Sequence, residues 1–148
     1  MYLRKCNIVN HNRGIIVHGC NASGAFGSGV AGAIRRKWPQ VYKAFMENGT
    51  GFDLMGTVQL NQISANFYVA NGYTQLNFGA DGKRYADINS VWRVMTAAFF
   101  WADHYGLPLY APMIGCGLGG LDWDTEIKTI FETVNENFPE ISLTVCYL

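Results

Sequence analysis

Charge is sparse in this sequence, and no sign of charge dominates. Only 15% of the 148 residues are charged, and 11 basic residues balance 11 acidic ones. A broad basic surface, which nucleic-acid-binding proteins use to contact phosphates, is therefore excluded. The single basic cluster, Arg35-Arg36-Lys37, suits the carboxyl end of a helix. We expect no nucleic-acid partner.

The sequence also lacks the segments and spacings that mark membranes and metals. It has no apolar run long enough to cross a bilayer, and its first residues do not resemble a signal peptide. Its four cysteines form no Cys-x-x-Cys pair, and none of its three histidines stands at ligand spacing from them. We therefore expect a cytoplasmic location with reduced thiols, no membrane partner, no metal and no cofactor. The oligomeric state stays open.

Short apolar segments alternate with helical patterns along residues 1–148, which fits a single α/β domain. Clear apolar stripes predict helices from Asp87 to about His104 and from about Asp124 to Phe138, and further helices should follow Gly29 and Pro39. This alternation predicts a mixed sheet of about six strands with helices on both faces. The expected strands are Tyr2–Cys6, Gly14–His18, Gly56–Gln62, Asn66–Ala70, Leu107–Pro112 and Ser142–Tyr147.

A glycine-rich loop connects the second predicted strand to a helix. It contains Gly24, Gly27, Gly29 and Gly32. Glycines allow close approach of the backbone to a ligand, and a helix start presents unpaired N–H groups, so this arrangement is typical of a phosphate site. The residues do not form a P-loop, since Val30 and Ala31 follow Gly29. A tight turn without a ligand is the alternative.

A second strand, glycine loop and helix come in the same order near the end of the chain. Here the strand Leu107–Pro112 enters Ile114-Gly115-Cys116-Gly117-Leu118-Gly119-Gly120. Ligands in such sheets bind at the carboxyl ends of the strands, which selects the loops His18–Gly29, Asn71–Lys83 and Ile114–Asp122. Two anion loops in one domain could hold a pyrophosphate from both sides through backbone N–H groups.

Taken together, these loops resemble those of macro domains, the modules that bind ADP-ribose. The resemblance rests on His18-Gly19-Cys20-Asn21, on Gly27-Ser28-Gly29-Val30-Ala31, on the second glycine loop through Trp123, and on the final strand around Tyr147. It covers nearly the whole chain and implies a three-layer α/β/α sandwich with ADP-ribose in a surface cleft. The most similar branch contains ADP-ribose 1″-phosphate phosphatases and hydrolases of ADP-ribosyl esters.

The resemblance also implies roles for individual residues. Asn7, followed by Ile8, stands where many members have an aspartate that accepts from the adenine amino group, and Asn21 would bind the distal ribose. Tyr147 would pack near adenine, or serve as a core aromatic of the last strand. The loops that would wrap the diphosphate and the distal ribose are Gly27, Ser28, Gly29 and Val30 on one side and Gly115, Cys116, Gly117, Leu118, Gly119 and Gly120 on the other.

The chemistry that the resemblance implies is less complete. The ester-hydrolysing branch uses a lysine after the central strand and an aspartate in the second loop, where this sequence has Asn71-Gly72 and Gly119. His18 matches a histidine of the phosphatase branch and could transfer a proton. The sequence thus predicts hydrolysis of ADP-ribose 1″-phosphate to ADP-ribose and phosphate. The alternatives are a non-catalytic ADP-ribose reader, a de-ADP-ribosylating hydrolase, or a site for another nucleotide.

The remaining ionisable residues near these loops have simpler expected roles. Asp122 is expected to cap the helix that follows it, and His11 to lie at the surface. Asp81 and Asp87 are expected to be solvated or to contact a distal ribose.

Overall fold

A six-stranded sheet forms the centre of the computed structural model, which describes residues 1–77 and 84–148. Its strand order is β1-β6-β5-β2-β4-β3. The strands are β1 (Tyr2–Lys5), β2 (Gly14–Asn21), β3 (Val58–Ser64), β4 (Phe67–Gln75), β5 (Leu109–Ala111) and β6 (Leu143–Tyr147).

The pairing directions bring the ends of most strands to one edge of the sheet. The pairs β1–β6, β6–β5, β5–β2 and β2–β4 are parallel, whereas the edge strand β3 runs antiparallel to β4. The carboxyl ends of the parallel strands therefore lie side by side. Binding sites of α/β proteins form at this edge.

Helices cover both faces of the sheet. The helices are α1 (Gly29–Lys37), α2 (Pro39–Glu47), α3 (Ile88–Tyr105) and α4 (Lys128–Asn137). Short 3₁₀ turns span Ile8–Asn10 and Phe52–Leu54, and a π turn, Trp123–Ile127, precedes α4. The expected three-layer α/β/α sandwich is confirmed.

Two hydrophobic cores separate the three layers. Along β2, Ile15 and Val17 pack with the residues of α3 and α4, while Ile16 between them packs with α1 and α2. This alternation follows from the period of two in a strand. Because both faces are covered, the central strands begin with apolar runs, residues 15–17 of β2 and residues 67–70 of β4, as buried parallel strands usually do.

The strands β2 and β4 are longer than the sequence predicts. Their expected ends, His18 and Ala70, lie inside the strands, which continue to Asn21 and Gln75. The prediction was wrong because polar side chains such as Asn71, which usually mark a loop, pair with each other inside the sheet. Of the predicted loop Asn71–Lys83, residues 71–75 are strand and residues 78–83, including Asp81, lie outside the described residues.

Carboxylates cap two helical segments next to the loops. Asp87 accepts a hydrogen bond from the Ser90 N–H at 2.9 Å at the start of α3. Asp122 accepts from the Thr125 N–H at 2.8 Å, which is the capping role expected for it. In residues 1–77 and 84–148, no helix is both long and apolar enough to cross a bilayer.

Candidate functional site

A cavity of about 610 Å³ opens at the carboxyl ends of β2, β4 and β5. It lies between the two glycine loops that the sequence identifies. The loop before α1 (the first loop) contributes Asn21, Ala25, Phe26, Gly27, Ser28, Gly29, Val30 and Ala31. The loop after β5 (the second loop) contributes Pro112, Met113, Ile114, Gly115, Gly117, Leu118 and Gly119.

The amide of Asn21 folds the first loop. Its Oδ1 accepts hydrogen bonds from the N–H groups of Ser23 at 3.2 Å and Ala25 at 2.9 Å, and its Nδ2 donates to the Ala25 carbonyl at 2.8 Å. These bonds hold the chain in a tight turn directly after β2. Asn21 therefore positions the first loop. The distal-ribose contact predicted for it would use the second N–H of Nδ2, because the first N–H and Oδ1 already bond within the loop.

The first turn of α1 presents free N–H groups to the cavity. Ser28 is the N-cap and makes no side-chain capping bond. Gly29 has a φ of +57°, and no heavy atom lies within 4 Å of where its Cβ would stand. The N–H groups of Val30 and Ala31 lack helical partners because they belong to the first turn. An anion placed here would receive these N–H groups and the positive end of the helix dipole.

The second loop offers a matching set of N–H groups. The Leu121 N–H donates to the Gly115 carbonyl at 2.8 Å and closes the loop. The Gly119 carbonyl accepts from the Tyr85 and Ala86 N–H groups at 2.8 and 3.0 Å, which ties the loop to the chain before α3. No hydrogen bond between described residues uses the N–H groups of Gly117, Leu118 or Gly119.

Packing leaves no room for a side chain at Gly119, the position where the sequence resemblance would place an aspartate. A Cβ at Gly119 would lie 2.7 Å from the Gly115 carbonyl oxygen and 3.0 Å from the Ala86 Cβ. No side chain fits without a shift of the backbone. The neighbouring Cys116 is half-buried, and burial raises the pKa of its thiol to about 11, so the thiol is neutral and poorly nucleophilic near pH 7.

His18 lies inside β2 and is 1% exposed. Its Nε2 donates to Asn71 Oδ1 at 2.6 Å, and Asn71 Nδ2 donates in turn to Gln59 Oε1 at 2.9 Å. Phe26 stands edge-on to the imidazole, with 5.3 Å between the ring centroids. Burial lowers the pKa of His18 to about 4 despite the bond to Asn71. The imidazole is therefore neutral near pH 7, with its lone pair on Nδ1.

Thr74 is a lining residue that sequence reasoning missed. Its hydroxyl is buried in the wall of the cavity and has no hydrogen-bond partner among the described residues. A buried hydroxyl without a partner costs about 1–3 kcal/mol, so a ligand or a water molecule that reaches it would gain a favourable contact. The sequence carries no signal for it, because threonine is common in strands.

Three predicted ligand residues lie farther along the same edge of the sheet. Asn7 and Ile8 follow β1, and Tyr147 ends β6. Asn7 is exposed and its Oδ1 accepts from the Val9 N–H at 3.3 Å, while Ile8 is buried in the core and Tyr147 is 42% exposed. None of the three is among the described residues that line the cavity.

The described lining of the cavity contains no Asp, Glu, Lys or Arg. An anion bound between the glycine loops would thus be stabilised by backbone N–H groups and helix ends, without a cationic side chain from this set. Residues with free N–H groups line the cavity in both loops. This arrangement suits a ligand with two linked phosphates.

Structural comparison supports the fold. No family model matches the sequence, and no curated protein matches it. A crystal structure of a protein from Bacteroides thetaiotaomicron is similar, with a TM-score of 0.84, 23% identity, and 100% of this chain and 99% of that chain covered. The macrodomain of Mycobacterium tuberculosis DarG is also similar, with a TM-score of 0.81, 14% identity, and 99% and 97% covered.

A third structure, Thermosipho africanus DarTG in complex with ADP-ribose, has a TM-score of 0.79 and 18% identity over 97% of this chain and 40% of that chain. At such low identity these likenesses show the fold alone. The chain has the fold of macrodomains.

Proposed function

We propose that the cavity binds ADP-ribose or a derivative of it, with the diphosphate between the two glycine loops. The observation that carries this proposal is that one cavity is lined by two sets of unpartnered N–H groups, one set at the first turn of α1 and the other at Gly117, Leu118 and Gly119. The similar fold of Thermosipho africanus DarTG, whose structure contains ADP-ribose, supports the proposal.

The adenosine end of the ligand would extend along the sheet edge toward β1. Strands β5 and β6 separate β2 from β1, which is about 14 Å at about 4.8 Å per strand. Asn7, Ile8 and Tyr147 lie at this end, where Asn7 would accept from the adenine amino group and Tyr147 would pack beside the base. The distal ribose would lie at the other end, near Asn21 and the first loop.

Calorimetry with Gly117→Glu tests the proposal. No heavy atom lies within 4 Å of a Cβ built at Gly117, and its backbone needs no positive φ, so the variant should fold with its carboxylate in the cavity. Like charges about 4 Å apart near a protein surface repel by about 4 kcal/mol, so we expect ADP-ribose to bind at least about 100-fold more weakly.

Gly117→Gln is the matched control, because it has nearly the same size without the charge. We expect it to weaken binding less than Gly117→Glu does. Wild-type affinity in a folded Gly117→Glu protein would refute the placement of the diphosphate.

Hydrolysis of ADP-ribose 1″-phosphate is a second candidate, because His18 stands among the lining residues next to the first loop. The N–H groups around Gly27 to Gly29 would stabilise the phosphate, as oxyanion donors do, and Asn21 would orient the ribose. The neutral His18 would accept a proton at Nδ1, since its Nε2–H bonds Asn71. Binding without catalysis is the simpler function for a cavity whose described lining holds no charged side chain.

A phosphate-release assay on ADP-ribose 1″-phosphate separates the two candidates. If the protein is an enzyme, His18→Ala should lose about 10²–10⁴-fold in turnover while still binding ADP-ribose. If the wild-type protein binds ADP-ribose and releases no phosphate above background, it is a reader. Equal turnover in wild type and His18→Ala would remove His18 as the proton-transfer group.

A further inference from the structure

A cluster of two thiols and one imidazole lies away from the cavity, near the carboxyl ends of β1 and β6. The metal-ligating atoms of Cys6, His11 and Cys146 all lie within 4.8 Å of one another. Cys6 follows β1, His11 follows the 3₁₀ turn after it, and Cys146 lies in the parallel neighbour β6. The fold therefore assembles these groups from two ends of the chain.

A hydrogen bond and a ring contact hold the imidazole of His11 in place. Its Nδ1 lies 3.0 Å from the Ile8 carbonyl oxygen, which can only accept, so Nδ1 carries the proton and Nε2 keeps the lone pair. The ring also stacks on Tyr110, with 3.7 Å between centroids and 28° between planes. Histidines that bind metals almost always donate their other N–H to a carbonyl or carboxylate in this way.

We propose that Cys6, His11 and Cys146 form a binding site for a thiophilic divalent cation, of which Zn²⁺ fits best. Two thiolates and one imidazole are ligands that zinc prefers, and three protein ligands leave a fourth position open to water. Each thiol would release its proton to solvent when it binds. The sequence predicted no metal, because Cys6 and Cys146 stand 140 residues apart and show no ligand spacing.

The sulfurs must separate when the ion enters. They lie 2.6 Å apart, whereas two Zn–S bonds of about 2.3 Å at a tetrahedral angle place them about 3.8 Å apart. The side chain of Cys6 can supply this movement by rotating, because it is only partly buried, while the Cys6 N–H stays bonded to the Tyr147 carbonyl at 3.0 Å. Cys146 is 5% exposed and belongs to the strand, so it is the fixed ligand.

A bound ion would hold the segment from Cys6 to His11 against β6. Asn7 and Ile8 belong to this segment, so the ion would also fix the residues at the proposed adenine end. This consequence rests on the proposed function, whereas the metal site itself does not.

Zinc content and cobalt spectra of the reduced protein test the site. We expect one Zn²⁺ per chain after gel filtration, and Co²⁺ should give the near-ultraviolet charge-transfer band of cobalt–thiolate bonds. His11→Ala removes a ligand and should therefore weaken Zn²⁺ binding by more than the roughly 10-fold that loss of an outer-shell partner already costs, while His104→Ala, the matched histidine control, should bind as wild type does. Cys146→Ser leaves a single sulfur in the cluster, so the cobalt–thiolate band should lose the intensity of a two-sulfur site. Cys116→Ser lies outside the cluster and should keep the full band.

Three results would overturn the proposal. The first is a reduced wild-type protein that retains no stoichiometric zinc. The second is equal zinc affinity in His11→Ala and His104→Ala. The third is an intact mass lower by two hydrogens in protein kept under reductant, which would show that the two sulfurs form a disulfide instead. Because the measurement uses no nucleotide, its outcome is independent of ADP-ribose binding.

Discussion

Burial of His18 makes the stability of this fold depend on pH. In the folded state its pKa is lowered from the ordinary 6.5 to about 4, chiefly because burial disfavours the charged imidazolium. In the unfolded chain the imidazole is solvated and titrates at its ordinary pKa. Lowering the pH therefore protonates the unfolded chain before it protonates the folded protein.

The sign and size of the effect follow from this difference. Between pH 6.5 and about 4 the unfolded state binds more protons than the folded state, so stability falls as the pH falls. The contribution of His18 is fully present above pH 6.5, is lost progressively as the pH falls toward 4, and changes no further below that. A difference of about 2.5 pKa units corresponds to about 3 kcal/mol, a large part of the stability of a small domain.

Urea unfolding of wild type and His18→Gln across this pH range measures the contribution. Glutamine cannot titrate, and it retains an amide N–H that can donate to Asn71. All other titratable groups are the same in the two proteins, so the difference between their curves reports His18. We expect the free energy of unfolding of the wild type to fall by about 3 kcal/mol more than that of His18→Gln between about pH 7 and pH 4. Parallel curves would show that His18 is solvated or charged in the folded protein and would refute the assignment of a neutral imidazole.

Two further predictions concern base recognition and packing. Asn7→Ala should weaken ADP-ribose binding several-fold, since a neutral hydrogen bond contributes about 1 kcal/mol, and should leave ribose 5-phosphate binding unchanged in calorimetry. Equal weakening of both ligands would show that Asn7 acts through the fold. Gly72→Ala should destabilise the protein by about 1–3 kcal/mol in urea unfolding, because the new Cβ would lie 2.3 Å from Val94 Cγ1. The double variant with Val94→Ala should lose less stability than the sum of the losses in the two single variants, because Val94→Ala removes the clashing atom. Strict additivity of the losses would contradict this clash.

The layers of the fold could be predicted from the sequence because periodicity is local. The apolar stripe of α3 predicts a helix from Asp87 to about His104, and the structure has Ile88–Tyr105. The strand ends could not be predicted, because His18 and Asn71 satisfy each other across 53 residues inside the sheet. Single-residue polarity suggests a loop at these positions, whereas only the assembled sheet shows that the polar groups are paired.

The candidate site likewise has features that the sequence predicts and features that it does not. Both glycine loops are visible in the sequence, since a strand, a run of glycines and a helix start follow each other in the chain. The amide of Asn21, by contrast, is largely used to fold its own loop, and the hydroxyl of Thr74 lies buried in the cavity wall on another strand. The cluster of Cys6, His11 and Cys146 depends on the parallel pairing of β1 with β6, which no local pattern reveals.

The way in which the cavity would bind an anion determines what it can select. A lysine or arginine attracts any phosphate over several ångströms, whereas an N–H group contributes only when the acceptor lies at hydrogen-bond distance and in line with it. The described lining has N–H groups on two loops and no charged side chain. In the proposed complex, two linked phosphates would accept from both loops. The proposed selectivity for a diphosphate would then arise from the spacing of the loops, and the glycines would matter because they keep the backbone exposed at that spacing.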